Sequence, residues 1–202
     1  MKKYGARDLI LQTANKLVDK NGYANTNIIE IAKKADISVG TLYYHFPRGK
    51  IDILLALTRE IALDFKEEAE ILGFREGMDF STIQEAMIYY FSLIIKLHKK
   101  YRLTMAAWES EVLSNLDYYL KLREEMDLEK EISDEMNFFI KEINQVIKRF
   151  SEENLSLEGK EKQLYVITQA IIHKYTYDTY GFSSDEELLK FLSKIVLAIL
   201  KD

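Results

Sequence analysis

Hydrophobic residues recur every three or four positions along most of the chain, which is the spacing of one face of an α-helix. In the first such stretch Ile10, Ala14 and Leu17 share a face, and Gly22 follows where that helix should end. Val-rich alternating runs, which would indicate β-strands, are absent, and Pro47 is the single proline. Leu, Ile, Lys and Glu dominate the rest, which favours helix. The pattern therefore predicts an all-α protein.

About nine helices are expected, three short and the others mostly longer and amphipathic. Their approximate ranges are 6–21, 27–35, 39–45, 50–72, 81–100, 104–113, 116–150 with a possible break near Asp127, 157 or 159 to 180, and 185 onward. Gly73 and Gly77 mark a loop after the fourth helix. The organisation this predicts is an N-terminal three-helix bundle at residues 1–49 and a C-terminal helical bundle at residues 50–202.

Charge is distributed unevenly along the chain. Residues 1–50 carry nine basic and four acidic side chains, a net charge of +5, whereas the whole chain carries −5. A basic N-terminal part suits the binding of nucleic-acid phosphates even when the rest of the chain is acidic, because only the basic part has to contact the phosphates. Charges of this kind also simply decorate solvated helix faces, so the asymmetry alone leaves both readings open.

Composition argues against several classes of protein. The chain has no cysteine, which leaves no disulfide framework and no cysteine-based zinc site. The most apolar stretch, Leu188–Leu200, is interrupted by Lys190 and Lys194 and is shorter than the ~20 residues that span a bilayer. We therefore expect a soluble, cytoplasmic protein without a membrane partner.

The most informative segment runs from Thr26 to Phe46. Two short helices joined by a turn of about four residues are predicted there, which is the arrangement of a helix-turn-helix. Thr26 or Asn25 is placed to cap the first helix, and Ser38 the second. The side chains that we expect to face inward are those of Ala32, Ile37, Leu42 and Phe46.

The outward face of the second helix has an unusual composition for a solvated surface. It is formed by Ser38, Val39, Thr41, Tyr43, Tyr44 and His45. Hydroxyl groups donate hydrogen bonds to phosphates, and short side chains let a helix approach base edges closely. Gly40 costs helix stability by up to ~1 kcal/mol relative to alanine, which suggests that its missing side chain serves close approach. The competing hypothesis is a core helical hairpin with incidental aromatic residues.

Residues 7 to about 57 resemble the TetR family of transcriptional repressors. The resemblance rests on Asn21-Gly22-Tyr23 closing the first helix, Ile37-Ser38 in the turn, the run Gly40-Thr41-Leu42-Tyr43-Tyr44-His45-Phe46, and Lys50 opening the fourth helix. The resemblance implies a homodimer that binds palindromic operator DNA, an effector pocket in the C-terminal helices, and release of the DNA when the effector binds. It also implies pairing of the dimer through helices 8 and 9.

The resemblance further implies roles for individual residues. Those similar to phosphate contacts are Thr26, Ser38, Tyr44, His45 and Lys50. Those similar to the base-facing set are Val39, Gly40, Thr41 and Tyr43. The segment Phe46–Lys50 is one residue longer than the commonest version of this turn, which allows Arg48 to share the role of Lys50.

Catalytic and metal-binding signatures are missing from the sequence, so we expect no enzyme, no metal site and no cofactor. His45 belongs to the helix-turn-helix, and His98 precedes Lys99 and Lys100, which suggests a basic, solvated setting. No paired-ligand spacing or glycine-rich phosphate loop is present.

The C-terminal part is rich in aromatic and methionine side chains, which suit either a packed core or a pocket between helices. The residues that we expect to contact an effector are Phe65, Tyr90, Met105, Trp108, Phe139 and Tyr175. Few inward charges are evident there, which favours a small apolar or amphipathic effector such as one with an acyl chain. Tyrosine hydroxyls, Trp108, His173 or Asn144 could fix its polar end.

Helices 8 and 9 carry strong apolar stripes that fit a dimer interface. The residues concerned are Ile167, Ile171, Leu188, Leu192, Ile195 and Ile199. The alternative is that some of these residues pack in a core within one chain. The function that these observations predict is a ligand-responsive repressor, and the alternative is a constitutive DNA-binding regulator without an effector.

Overall fold

The computed structural model describes residues 5–72, 79–125, 128–150, 155–179 and 181–201, and all regular structure in these ranges is helical. Nine helices are present among the described residues, as predicted. They are α1 Ala6–Asn21, α2 Ile28–Lys34, α3 Val39–His45, α4 Lys50–Leu72, α5 Ile83–Ser114, α6 Leu116–Glu125, α7 Leu128–Arg149, α8 Glu161–Asp178 and α9 Asp185–Lys201. The predicted all-α class is confirmed.

Two compact units make up the chain. The first unit contains the residues up to Leu63 together with Tyr101–Tyr119, and the second contains Asp64–Lys100 together with the residues from Leu120 onward. The unit boundaries thus fall inside α4, α5 and α6 rather than between helices. A functional division into residues 1–49 and 50–202 stays a prediction.

The core of the first unit is formed by α1, α2 and α3, which pack on one another, together with the first turns of α4. Its buried apolar side chains are Ile10, Leu11, Ala14, Leu17, Ile31, Ala32, Leu42, Phe46, Ile53, Ala56 and Leu57. Helix α1 ends where Gly22 adopts a φ of 77°, and the amide of Gly22 donates to the carbonyl of Val18 at 2.8 Å. Glycine reaches this backbone region without steric cost, so the predicted end of α1 is confirmed.

The predicted break between residues 100 and 104 is wrong, because α5 runs without interruption from Ile83 to Ser114. Thr104 was expected to open a new helix, since threonine is a common N-cap. No glycine or proline interrupts this stretch, and the hydrogen-bond ladder continues through Thr104, whose side chain is buried.

Other helix ends differ less from the expectation. Helix α6 ends at Glu125 and α7 begins at Leu128, on either side of the break that the pattern allowed near Asp127. Residues 126 and 127, the loop at Gly73 and Gly77, and Tyr180 lie outside the described residues. Helix α8 ends at Asp178, because Thr179 adopts a left-handed φ of 49° and its amide bonds to the carbonyl of Tyr175.

The core of the second unit is contributed by α5, α7, α8 and α9. Its fully buried members include Phe91 on α5, Ile143 on α7, Leu164 on α8 and Leu192 on α9. Burial of large apolar side chains is the main stabilising term in such a bundle. No helix in the described ranges is long and apolar enough to cross a membrane.

We predict that Phe91→Ala lowers the free energy of unfolding by about 3–5 kcal/mol, because it removes a fully buried ring and leaves a cavity. Denaturant unfolding at a fixed protein concentration measures the change. Leu120→Ala removes an exposed side chain of the same unit and serves as the matched control, with an expected change within about 0.5 kcal/mol. Equal losses for the two variants would contradict this assignment of the core.

Candidate nucleic-acid interface

The turn between α2 and α3 is closed by local hydrogen bonds. Asn27 caps α2, its side-chain oxygen accepting from the amide of Glu30 at 2.9 Å. Asp36 adopts a left-handed φ of 55°, a conformation that aspartate tolerates better than most residues. The amide of Ile37 then donates to the carbonyl of Ala32 at 3.1 Å. These contacts set the direction in which α3 leaves the turn.

Helix α3 begins behind Ser38, as predicted. The hydroxyl oxygen of Ser38 accepts from the amide of Thr41 at 2.9 Å and lies 2.8 Å from the hydroxyl oxygen of Thr41. On the inner side, Leu42 and Phe46 are buried in the core of the first unit. Because residues four apart lie on one face of a helix, these two anchors determine which side of α3 points outward.

That outward side is largely exposed. The exposed fraction of the side chains is 81% for Tyr44, 47% for Tyr43 and 39% for Val39. Ser38 and Gly40 are also exposed, whereas Thr41 and His45 are half-buried. The ring of His45 meets that of Tyr44 edge-on, with centroids 5.1 Å apart. Seven of the nine predicted DNA contacts fall on this helix or at its N-cap, whereas Lys50 begins α4. Helix α3 offers hydroxyls and aromatic rings rather than a dense cluster of charges.

Gly40 has no structural need for its missing side chain within the protein. A Cβ added there would meet only the hydroxyl oxygen of Ser38, at an ordinary 3.6 Å. Gly49 differs, because it has a φ of 69° and an added Cβ would lie 3.4 Å from the ring of Tyr43. Gly49 therefore lets the turn pack against Tyr43, while Gly40 leaves space on the outer surface of α3.

Thr26 is the exception among the predicted contacts. Its side chain is 1% exposed, and its hydroxyl donates to the carbonyl of Gly22 at 2.9 Å. Thr26 and Asn25 were also the expected caps of α2, but Asn27 has that role. Because its hydroxyl is already used inside the protein, we leave Thr26 out of the interface and assign it to the support of the loop before α2.

Lys50 is held at the start of α4 by an aromatic ring. Its ammonium nitrogen lies 4.1 Å from the centroid of the Tyr23 ring, within the range of a cation–π contact. Burial lowers the pKa of Lys50 below its usual value, and the nearby carboxylate of Glu111 opposes this shift. Burial and the charge of Glu111 both raise the pKa of Tyr23. Sequence reasoning missed Glu111, because sixty residues of chain separate it from Lys50.

Arg48 contacts the first turn of α4. Its amide donates to one carboxylate oxygen of Asp52 at 2.7 Å, and its Nε donates to the other at 2.7 Å. The carboxylate thereby satisfies groups at the start of the helix and opposes the positive end of the helix dipole. Arg48 thus has a structural role in the turn.

The predicted effector residues fall into two groups. Phe65, Tyr90, Phe139 and Tyr175 belong to the core of the second unit or pack against it, with the rings of Tyr90 and Phe139 6.0 Å apart. Met105 and Trp108 belong to the first unit instead, where the ring of Trp108 lies 5.8 Å from that of Tyr119. The structure thus brings four of the six together.

Some polar side chains that the sequence did not place in the interior are buried in the second unit. His98, expected to be solvated, is buried; its Nδ1 donates to the carbonyl of Ile94 at 2.8 Å. Its ring lies 4.8 Å from that of His173 and 5.1 Å from that of Phe65. The expectation failed because a helix places adjacent residues on different faces, so Lys99 and Lys100 say little about the burial of His98.

A carboxylate also lies inside this unit. Glu142 on α7 is buried, and burial together with its charge raises the pKa of Tyr90 well above the usual value. Tyr175 donates a short hydrogen bond to Asp185, which also accepts from Lys99. The second unit therefore contains an aromatic core with polar groups within it and at its edge. Among the described residues, no group of three potential ligands is arranged to hold a metal ion.

The apolar residues expected at a dimer interface divide between the inside and the surface. Leu188 and Leu192 are fully buried in the core of their own unit, so the intrachain alternative is correct for both. Ile167 is exposed, and so are Val166 and Phe191, which the sequence did not single out. An apolar surface thus remains on α8 and α9.

Comparison with known proteins identifies the N-terminal segment. Residues 10–57 match the family described as "Bacterial regulatory proteins, tetR family". The chain is 37% identical over 59 residues to the HTH-type transcriptional regulator LmrA of Bacillus subtilis (strain 168), which covers 29% of this chain and 31% of that protein. It is 36% identical over 61 residues to the Fatty acid metabolism regulator protein of the same organism, covering 30% and 31%. The matches therefore span less than a third of the relatives' own length.

Solved structures extend the likeness to the whole chain. Salmonella enterica GusR superposes with a TM-score of 0.64 at 18% identity, covering 100% of this chain and 98% of that one. The fatty acid degradation regulator FadR from Bacillus halodurans superposes with a TM-score of 0.63 at 16% identity, covering 98% and 97%. At these identities the likeness is one of fold. Residues 10–57 therefore match the tetR family of bacterial regulatory proteins, and the chain as a whole shares the fold of these solved regulators.

Proposed function

We propose that the chain is a ligand-responsive transcriptional repressor that binds palindromic operator DNA as a homodimer in the cytoplasm. The observation that carries this proposal is the exposed outer face of α3, where Tyr43, Tyr44 and Val39 stand free of the protein's own core. A recognition helix of this kind enters the major groove while the preceding helix crosses the backbone. The names of the relatives, which are transcriptional regulators, support the same reading.

Within this proposal the residues of the interface have different roles. Ser38, Tyr44, His45 and Lys50 bind phosphates and set the position of the protein on the duplex, because hydroxyl and ammonium groups donate to phosphate oxygens. Val39, Gly40, Thr41 and Tyr43 face the base edges. Thr41 has both a hydroxyl and a methyl group, so it can contact a base acceptor or the methyl of thymine.

Two copies are needed to read a palindrome. A dimer places its two recognition helices one helical turn of DNA apart, about 34–36 Å. We propose that the copies pair through α8 and α9, where Val166, Ile167 and Phe191 form an exposed apolar surface. Burying such a surface between two copies removes apolar area from water, which is the usual driving force of an obligate interface.

We propose that the effector is a small apolar or amphipathic molecule bound within the second unit. The aromatic side chains of Tyr90, Phe139 and Tyr175, with Phe65 beside them, suit an apolar portion, and His98 and His173 could bind a polar end. Two similar proteins are named as regulators of fatty acid metabolism or degradation, which supports an acyl chain. The effector lowers DNA affinity only if it binds the DNA-incompetent conformation more tightly. The alternative is a constitutive regulator whose aromatic residues form a solid core.

We predict that Tyr44→Ala weakens binding to a selected operator at least about tenfold, because it removes a positioning contact worth about 1.4 kcal/mol or more. The operator is obtained by selection from random duplexes with the purified protein, and affinity is measured by fluorescence anisotropy. Tyr118→Ala, which removes an exposed tyrosine elsewhere in the first unit, is the matched control. Unchanged affinity for Tyr44→Ala would show that this face of α3 does not contact DNA.

Thr41 and Lys50 should behave differently from each other in the same assay. Changing Thr41 to valine should alter the selected sequence, since it removes a base contact. Changing Lys50 to glutamine should weaken all duplexes about equally and reduce the slope of log affinity against log salt by about 1. The assigned roles would be contradicted if the selected sequence changed in the Lys50 variant and stayed the same in the Thr41 variant.

An effector should raise the stability of the folded protein and lower its affinity for DNA. At 100 times its Kd, a ligand of the folded state adds about 2.7 kcal/mol of stability, so a panel of fatty acids, acyl-CoAs and aromatic compounds is tested by thermal unfolding. Any compound that raises Tm is then titrated into the DNA complex. The factor by which it lowers DNA affinity must equal the factor by which DNA lowers its own affinity. If no compound raises Tm, the constitutive alternative is favoured.

A further inference from the structure

The turn that joins α3 to α4 is fixed by hydrogen bonds on both sides of Gly49. The amide of Gly49 donates to the carbonyl of Phe46 at 2.8 Å, and its carbonyl accepts from the amide of Ile53 at 3.2 Å. Arg48 is held to Asp52 through its amide and its Nε. Gly49 is buried and has a φ of 69°, a backbone region that glycine reaches without steric cost. Its position relative to α3 and to the start of α4 is therefore fixed.

Two side chains from different helices meet at Gly49. A Cβ at this position would lie 3.4 Å from Cε1 of Tyr43 on α3 and 3.7 Å from Cδ1 of Ile28, the first residue of α2. The ring edge of Tyr43 and the side chain of Ile28 thus border the same point, where the missing side chain of Gly49 leaves room. Ile28 also packs against the core of the first unit. The ring of Tyr43 therefore rests on parts of the unit that are themselves held in place.

This contact orders a side chain that is still open to solvent. Tyr43 is 47% exposed, so one part of its ring contacts the protein while the rest is available to a binding partner. A side chain that is ordered before binding loses less conformational freedom when the complex forms, which strengthens binding without any new contact. An ordered ring also presents its atoms in one arrangement, and this makes it more selective among base edges.

We propose that Gly49 and Ile28 preorganise the ring of Tyr43 and thereby determine the affinity and the sequence preference of α3 for operator DNA. The inference rests on the proposed function, in which Tyr43 faces the base edges. Gly49 and Ile28 are positioning residues, since they act through Tyr43. The turn before α4 thus contributes to sequence recognition through a ring of the preceding helix.

The test fills the space at Gly49 in the full chain. Gly49→Asn is suitable because asparagine tolerates a positive φ better than most residues, while a side chain longer than a methyl group has to displace the ring of Tyr43. We expect operator affinity to fall about two- to tenfold, the size expected when one more side chain must be ordered on binding.

The matched control makes the same change where there is open space. Gly159 also has a positive φ, of 76°, and an added Cβ there would meet nothing within 4 Å. Gly159→Asn should therefore leave operator affinity unchanged. Equal losses for Gly49→Asn and Gly159→Asn would overturn the proposal, because the backbone conformation alone would explain them.

A second variant removes the support of the ring instead of filling the space. Ile28→Ala should also lower operator affinity, and thermal unfolding checks that each variant retains the fold. In the background of Tyr43→Ala neither change should lower affinity further, because the ring through which they act is absent. A loss that persists in that background would overturn the proposal.

Gly49 precedes Lys50, so a further readout separates the ring from the lysine. A change that acts through the uncharged ring of Tyr43 leaves the slope of log affinity against log salt unchanged, whereas loss of a phosphate contact by Lys50 reduces it. Selection from random duplexes with Gly49→Asn should show altered preference at the base pairs that also change with Tyr43→Ala. A reduced salt slope, or an unaltered base preference, would overturn the proposal.

A measurement without DNA separates this proposal from the proposed function. Nuclear Overhauser contacts from the ring protons of Tyr43 to the α-protons of Gly49 and the δ-methyl of Ile28 should be present in the wild-type chain. Their absence would overturn the proposed arrangement even in a chain that binds DNA well. A wild-type chain that shows these contacts but binds no duplex would instead overturn the proposed function, and with it the role given to Gly49.

Discussion

The burial of Leu42 and Phe46 in the core of the first unit is the constraint on which the candidate interface depends. These two side chains come from one face of a seven-residue helix that is too short to be stable by itself. Their burial against α1, α2 and α4 holds α3 in place, and the N-cap at Ser38 and the left-handed residue Asp36 set its direction. The opposite face, with Tyr43 and Tyr44, is exposed as a consequence.

The two units differ in how they use polar groups. In the first unit polar side chains close turns and helix ends. Asn27 caps α2, and Asp52 in the first turn of α4 accepts from the amide of Arg48. In the second unit some are buried among aromatic rings, as His98 and Glu142 are. Buried polar groups are costly unless they are partnered, and the Nδ1 of His98 donates to the carbonyl of Ile94.

Sequence reasoning succeeded where the signal was local and failed where it was not. The bounds of α1, α3 and α4 were predicted to the residue. Gly22 ends α1, Ser38 caps α3, and the segment around Pro47 separates α3 from α4. The bounds of α5 were not, since Thr104 can either cap a helix or lie within one. His98 was misplaced because neighbouring lysines describe the surrounding sequence rather than the face of the helix. Thr26 was wrongly expected as a possible cap of α2, because a hydroxyl that can cap a helix can equally donate to a carbonyl of the preceding loop, here that of Gly22.

The amino-acid sequence by itself determined the all-helical class, the helix-turn-helix between Thr26 and Phe46 and the resemblance of the N-terminal segment to the TetR family, because periodicity, caps and turn residues act over a few positions. Only the tertiary structure decided that Lys50 lies on the ring of Tyr23 near Glu111, and that Met105 and Trp108 belong to a different unit from Tyr90 and Phe139. Such contacts join residues tens of positions apart. They depend on how helices pack, which the spacing of hydrophobic residues along one helix does not specify.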